Sequence, residues 1–220
     1  MNKPIDHVGR VSGNAQHLFL KPVPWWKTLM DRVGAGSALL LLSPLMLITY
    51  AIIKITDPGP AFFVQPRMGR GGQPFGMFKF RSMVTNAEAL KAKLMEQNER
   101  DGPAFKMTDD PRITPIGRFI RKWSIDELPQ LYNVLRGDMS LVGPRPLPLT
   151  EDKQMGQWHV MRREVKPGIT CLWQIADRDN IGFDEWIRLD IQYIRNLSFW
   201  LDVKILFLTI PAVLTNRGAK

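Results

Sequence analysis

An uncharged stretch near the start of the chain constrains its fold more than any other feature. It spans residues 33–53 and is bounded by Arg32 and Lys54. As a helix it would be about 30 Å long, which matches the hydrocarbon thickness of a bilayer. A core helix is rarely so long and apolar on every face. The sequence therefore predicts insertion into a membrane, whereas a cleavable signal peptide fits poorly because no small-residue cleavage site follows.

Ser43 and Pro44 lie near the middle of this stretch and predict a kink or a break. Proline removes one backbone hydrogen bond and clashes with the carbonyl four residues earlier. The helix could span the membrane with a kink, or form a re-entrant hairpin whose arms of about 15 Å enter and leave by one face. Basic residues flank both ends, which favours the hairpin with both ends in the cytoplasm. These residues are Lys21, Lys27 and Arg32 before the stretch, and Lys54, Arg67, Arg70, Lys79 and Arg81 after it.

A soluble domain is predicted after the turn at residues 57–60. Residues 62–64 and 75–80 form the strands of a β-hairpin around a glycine-rich turn. If the second strand continues, Lys79 and Arg81 share one face, as a phosphate cradle requires; a solvated strand face is the alternative.

Several helices are predicted in the rest of the domain. A capping box at Thr85 opens a polar helix to about residue 99, and Thr114 caps a short helix that begins with a proline. Residues 151–164 form a further helix, and a short strand runs through residue 175. The apolar residues 199–214 form an in-plane amphipathic helix at a membrane interface, or a core helix.

The adjacent acids Asp126 and Glu127 are the strongest candidates for chemistry. A carboxylate pair in a cationic setting suits metal-assisted phosphoryl transfer, although acids are also common in the first turn of a helix. Pro129 favours a helix with Asp126 as N-cap, because proline then falls where the N–H has no helical partner. That position would lower the pKa of Asp126. The nearby cations in sequence are Arg118, Arg121, Lys122, Arg136 and Arg145.

The net charge of +9 predicts an anionic partner, which could be nucleic acid, lipid headgroups or a phosphorylated substrate. The single cysteine, Cys171, excludes a disulfide within the chain and a cysteine-based zinc site. No recognition helix or aromatic-basic RNA motif is present, so the prediction is no nucleic acid. A nucleic-acid-binding module and a non-catalytic membrane scaffold are kept as alternatives.

Four ordered motifs resemble the bacterial sugar transferases, which are monotopic phosphoglycosyl transferases. The resemblance covers the chain from about residue 29, and Cys171 departs from it where the family pattern has glycine. It implies a helix-rich α+β membrane-associated domain with a re-entrant helix-break-helix at Ser43 and Pro44, a small β-hairpin and amphipathic interfacial helices. The implied parts are an extension (1–28), the re-entrant helix (29–56) and a cytoplasmic domain (57–220). The motifs are residues 79–83 (KFRSM), 121–130 (RKWSIDELPQ), 137–146 (GDMSLVGPRP) and 166–170 (KPGIT).

The resemblance also implies a reaction at the cytoplasmic face of the bacterial inner membrane. A sugar-1-phosphate passes from a UDP-sugar to a polyprenyl phosphate such as undecaprenyl phosphate, and UMP leaves. Asp126 would be the nucleophile, Glu127 its partner, and Mg²⁺ would bind at this pair. The residues expected to hold phosphate groups are Arg121, Arg145, Lys79 and Arg81. No motif indicates which sugar is transferred.

Overall fold

The computed structural model describes residues 20–95, 98–99, 105, 107–154, 156–176 and 181–215. Residues 1–19 of the predicted extension lie outside this part. The architecture is α+β and rich in helix. In chain order the elements are α1 (Trp25–Thr56), β1 (Phe62–Met68), β2 (Pro74–Phe80), α2 (Ala87–Leu94), α3 (Pro115–Lys122), α4 (Gln130–Arg136), β3 (Ser140–Val142), α5 (Leu149–Asp152), β4 (Gly168–Thr170), α6 (Leu172–Ile175), α7 (Phe183–Arg195) and α8 (Phe199–Leu214), with 3₁₀ turns at Arg70–Gly72, Ile125–Glu127 and Gln157–Glu164.

Helix α1 is one continuous helix of 32 residues with Pro44 inside it. The predicted break at Ser43 and Pro44 is therefore wrong. Proline removes a single backbone hydrogen bond, which a helix can absorb by bending rather than by ending. The Ser43 hydroxyl donates to the carbonyl of Leu40 at 2.8 Å within the same turn.

One face of α1 packs on the domain along its whole length, and the opposite face is open. Buried positions recur at helical spacing, with partly buried positions between them. The outer face is apolar and exposed, with Leu40 at 80% and Ile55 at 81%. This is not the pattern of a core helix, and α1 is long and apolar enough to cross a membrane. The buried positions are Lys27, Asp31, Ala35, Thr49 and Ile53, and the partly buried ones are Ala38, Leu39, Leu42 and Met46.

A buried polar cluster fixes the first turns of α1 to the domain. The ammonium of Lys27 donates to the carbonyl of Val142 at 2.8 Å and binds the carboxylate of Asp202 in α8. The Tyr193 hydroxyl in α7 also donates to Asp202, at 2.8 Å. One turn later, Asp31 accepts a backbone hydrogen bond from β3 at 2.9 Å. Three separate elements of the domain therefore hold this end of α1.

The other end of α1 packs against a different part of the same domain. Ile53 is fully buried with Phe80 of β2 and Ile120 of α3. Both ends of the helix are thus fixed to one body. This arrangement limits how α1 can enter a bilayer.

The predicted β-hairpin is confirmed. Strands β1 and β2 are antiparallel, with Phe62 opposite Phe80 and Met68 opposite Pro74. The connection contains Gly71 at φ +65°, a backbone conformation that favours glycine. Strands β3 and β4 form a second, parallel pair. The predicted strand through residue 175 is wrong in its extent, because β4 ends at Thr170 and the chain continues as α6.

Two predicted helices are shorter than expected. Helix α2 begins at Ala87 without a side-chain cap and ends at Leu94, so the capping box at Thr85 does not form. The helix predicted over residues 151–164 divides into α5 and a 3₁₀ turn. Between them Gly156 is extended, as its low helix propensity allows. The cap at Thr114 is confirmed, since its hydroxyl accepts from the N–H of Gly117 at 3.0 Å.

Helix α8 is buried in the domain on one face and is apolar and exposed on the other. Asp202 and Ile205 on one face are completely buried in the domain. On the other face Trp200 is 77% exposed and Phe207 is 69% exposed. Pro211 does not interrupt the helix. Like α1, α8 therefore presents an apolar face outside the core.

Candidate active site

The two acids lie on a separate 3₁₀ turn between α3 and α4. Ser124 has φ +54°, the left-handed region, and this ends the α3 segment before Ile125–Glu127 begins. Helix α4 starts at Gln130, with Pro129 at its N-cap position. The prediction that Asp126 caps α4 is therefore wrong. The left-handed residue and the missing N–H of Pro129 separate the acids from the following helix.

Glu127 is held by two cations from distant parts of the chain. Lys79, on β2, donates to Oε1 of Glu127 at 3.1 Å. Arg145 donates through both terminal nitrogens, at 3.2 Å to Oε2 and at shorter range to Oε1. Paired guanidinium bonds of this kind fix orientation as well as charge. Burial alone would lower the pKa of Arg145, but the Glu127 carboxylate raises it.

Asp126 is buried beside this cluster and accepts no hydrogen bond within the described part of the chain. Its pKa is raised to about 6, because burial outweighs the attraction of Lys79. The predicted lowering of this pKa is therefore wrong in direction. At neutral pH the carboxylate is mostly ionised. A buried, ionised carboxylate without bound donors is a strong nucleophile.

The predicted phosphate-binding residues are only partly brought together. Lys79 and Arg145 lie at the acid pair, and Arg121, at the end of α3, attracts Asp126 at longer range. Arg81 does not join them. Strand β2 ends at Phe80, and Arg81 turns instead to Asp57 at the exit of α1, 3.3 Å from its carboxylate. The predicted common cradle of Lys79 and Arg81 is therefore not formed.

The loop that carries Arg145 is positioned by direct contact between two backbones. Gly143 donates to the carbonyl of Thr170 at 2.9 Å, and Gly168 donates to the carbonyl of Pro144 at 2.9 Å. A Cβ atom on Gly168 would lie 2.1 Å from the Gly143 nitrogen, so no side chain fits there. The motifs at residues 137–146 and 166–170 are thus in direct contact, and this contact positions Arg145 beside the acid pair.

Sequence reasoning missed Arg67, which it counted only among the flanking charges. Arg67 lies on β1 and donates to the carbonyl of Pro146 at 2.9 Å, next to Arg145. Strand alternation was the available signal, because it places Arg67 and Gln65 on one face. That face turns towards the Arg145 loop.

The donor set at the acid pair is compatible with magnesium. No cluster of three or more His, Cys, Asp or Glu occurs in the described ranges. Mg²⁺, however, is commonly bound through one or two carboxylates together with substrate phosphates and water. Asp126, which accepts no hydrogen bond from described residues, supplies such a carboxylate beside Glu127.

Together, the fold and the site define a helix-rich α+β domain that carries a carboxylate pair among cations and one long apolar helix. Residues 23–216 match the family model described as bacterial sugar transferase. The chain belongs to the bacterial sugar transferase family.

Named relatives are found in several bacteria. The chain is 50% identical over 195 residues to a galactosyl transferase, CpsE, of Streptococcus agalactiae, covering 88% of this chain and 43% of the relative. It is 43% identical over 201 residues to an undecaprenyl-phosphate galactose phosphotransferase of Salmonella typhimurium, covering 88% and 41%. It is 39% identical over 197 residues to the exopolysaccharide production protein ExoY of Rhizobium meliloti, covering 88% and 87%. The chain thus spans less than half the length of the first two relatives and most of the third.

Proposed function

We propose that the protein transfers a sugar-1-phosphate from a UDP-sugar to undecaprenyl phosphate and releases UMP, as an early step of exopolysaccharide assembly. The observation that carries this proposal is Asp126, a buried carboxylate that accepts no hydrogen bond from the described residues and lies beside Lys79 and Arg145. The names of the relatives support the donor, the lipid acceptor and the pathway. One relative, from Aeromonas hydrophila, is named as a UDP-N-acetylgalactosamine-undecaprenyl-phosphate N-acetylgalactosaminephosphotransferase.

The proposed reaction has two displacement steps at one phosphorus. A carboxylate oxygen of Asp126 attacks the phosphorus that bears the sugar, and the diphosphate P–O bond breaks with its electron pair on UMP. An oxygen of the polyprenyl phosphate then attacks the same phosphorus and releases the Asp126 carboxylate. An anionic nucleophile can approach a phosphate only where cations neutralise the phosphate oxygens. Lys79 and Arg145 supply that charge, and Glu127 positions both of them.

A magnesium ion would be held by Asp126 and Glu127 and would neutralise charge on the diphosphate. Mg²⁺ usually keeps several waters and takes further oxygens from substrate phosphates. Two neighbouring carboxylates therefore suffice on the protein side.

We further propose that α1 bends at Pro44 without breaking, and so enters and leaves the inner membrane by its cytoplasmic face. Its 32 residues amount to about 48 Å of helix, more than the hydrocarbon thickness. Both of its ends are fixed to one domain, at Lys27 and at Ile53. A bilayer crossing that separates the two ends would have to break one of these attachments. Entry from one side of the membrane keeps both attachments of α1 to the domain. It also allows the exposed faces of α1 and α8 to contact lipid.

Cysteine labelling tests this topology. In a background with Cys171→Ser, we expect single cysteines at Pro22 and Pro60 to react with an impermeant maleimide only from the cytoplasmic side. A cysteine at Leu41 should react from neither side, because lipid covers it. The measurement compares intact spheroplasts with inside-out vesicles. Reaction of either end from the periplasmic side would exclude re-entry.

The activity is tested with a panel of UDP-sugars, undecaprenyl phosphate and Mg²⁺. We expect purified protein to release UMP with at least one donor and to form the matching lipid-linked sugar phosphate. Chromatography of the nucleotides and mass spectrometry of the lipid measure the two products. If no UDP-sugar yields UMP, the proposed reaction is wrong, and a non-catalytic membrane scaffold becomes the better description.

A further inference from the structure

Arg67 differs from the other enclosed arginines of the domain. Five arginines with largely buried side chains each form an ion pair with a carboxylate. Arg67 has none: no carboxylate of the described residues lies within 4.0 Å of its guanidinium. The five pairs are Arg81–Asp57, Arg112–Asp110, Arg145–Glu127, Arg162–Asp190 and Arg163–Asp152.

The contacts that Arg67 does make are neutral. One terminal nitrogen donates to the carbonyl of Pro146 at 2.9 Å, and the other donates to Oε1 of Gln65 at 2.5 Å. The remaining nitrogen, Nε, is buried and has no acceptor in the part of the chain that the structure describes. The two carboxylates that attract Arg67 most strongly are bonded to other cations, Glu151 to Lys91 at 3.0 Å and Glu127 to Arg145.

The charge of Arg67 is therefore poorly compensated. Burial, and then the repulsion of Arg145, lower the pKa of Arg67 to about 10, so it remains a cation at neutral pH. Holding a desolvated cation next to a second cation is unfavourable for folding. Such an arrangement becomes favourable when an anion binds between the two groups. Arg67 lies close to Arg145, because it donates to the carbonyl of the next residue, Pro146, and is repelled by the Arg145 charge.

We propose that Arg67 is a further substrate-binding residue, which binds a phosphate group of a substrate together with Arg145. This inference rests on the proposed function for the identity of the substrate. The phosphate could be part of the donor diphosphate or the monophosphate of the lipid acceptor.

The test compares Arg67→Met with Arg70→Met, which alters the same β-hairpin. Arg70 donates to the backbone carbonyls of Lys21 and Glu164, away from the acid pair. We expect Arg67→Met to raise the KM of one substrate about tenfold or more, as loss of a charge-assisted hydrogen bond does. Arg70→Met should leave both KM values unchanged. A higher KM for the UDP-sugar would show that Arg67 binds the donor diphosphate. A higher KM for polyprenyl phosphate would show that it binds the phosphate of the acceptor.

Thermal unfolding separates binding from a structural role. Inorganic pyrophosphate should raise the Tm of the wild type and of Arg70→Met, and should have little effect on Arg67→Met. Without pyrophosphate, Arg67→Met should be no less stable than the wild type, because an uncompensated charge is removed. A variant with lower Tm, unchanged KM values and undiminished protection by pyrophosphate would show that Arg67 is structural, and would overturn the proposal.

Arg67→Lys covers the case in which the methionine variant does not fold. Lysine keeps the positive charge but lacks the planar guanidinium that can donate two parallel hydrogen bonds, so this variant should raise the same KM by a smaller factor. Unchanged KM values would overturn the proposal. The proposed role of Arg67 and the proposed reaction can be distinguished when only one of them is wrong. If pyrophosphate protects the wild type but not Arg67→Met, and no UDP-sugar reacts, Arg67 binds an anion but the proposed reaction is wrong.

Discussion

Replacement of Asp126 by asparagine is expected to reduce the release of UMP by about 10³-fold or more, as loss of a catalytic nucleophile does in other enzymes. An amide oxygen cannot form the aspartyl-phosphosugar intermediate, while the shape of the site is kept. The Tm at pH 7.5 should not fall. Because burial raises the pKa of Asp126 to about 6, its ionised form destabilises the fold at neutral pH, and asparagine relieves that cost. UMP release is measured by chromatography.

The pH dependence of the first step gives an independent check on Asp126. UMP formed in a single turnover without lipid acceptor reports only the attack on the donor. Its rate should fall as the pH drops through about 6, where the folded enzyme protonates Asp126. The acceptor is omitted because polyprenyl phosphate is a phosphate monoester, which itself titrates near pH 6 and would obscure the titration of Asp126. Full activity of Asp126→Asn would rule out this nucleophile, and a rate independent of pH between about 5 and 8 would contradict the raised pKa of Asp126.

Replacement of Lys27 by methionine is expected to destabilise the fold by about 3–5 kcal/mol, the usual cost of breaking a buried ion pair. Lys27 is 4% exposed and Asp202 is completely buried, so the remaining carboxylate has no route to water. The Tm should fall by about 6–20 °C for a domain of this size. Intrinsic tryptophan fluorescence during heating in detergent measures the change.

Two controls assign this loss to the buried charge. Lys21→Met removes a lysine whose ammonium donates to the carbonyl of Ile194 at 2.9 Å near the surface, and should change the Tm by a few degrees at most. The double variant Lys27→Met/Asp202→Leu removes both charges, and should recover much of the stability lost in Lys27→Met. A Lys27→Met protein as stable as the wild type would show that this cluster does not hold α1.

Local patterns predicted the parts of the fold that depend on neighbouring residues. The β-hairpin around Gly71 and the cap at Thr114 are confirmed, because turn chemistry and capping act over a few residues. Helix α7 follows the same rule of local spacing: Ile187 and Ile194 recur at helical intervals and are both buried. The proximity of Arg145 to the acids came from a motif resemblance, not from the local residues.

Features that depend on distant contacts were not predictable in this way. Asp126 was expected to have a lowered pKa, but its burial depends on how β2 and α3 enclose the 3₁₀ turn. Arg81 was assigned to a phosphate cradle, because the sequence does not show that β2 ends one residue earlier and that Asp57 lies nearby. The continuity of α1 through Pro44 was likewise not predictable, because a proline inside a helix can be absorbed by bending as well as end the helix.

The contact between Lys27 and Asp202 also sets an order of events during biosynthesis. The two residues are 175 positions apart, and ribosomes add about 5–20 residues per second. Lys27 therefore exists for roughly 9–35 s before its partner is made. During that interval the apolar helix can contact lipid or an insertion factor, and its first turns lack the ion pair with Asp202. The buried polar cluster at the start of α1 is therefore complete only after the last two helices have been made.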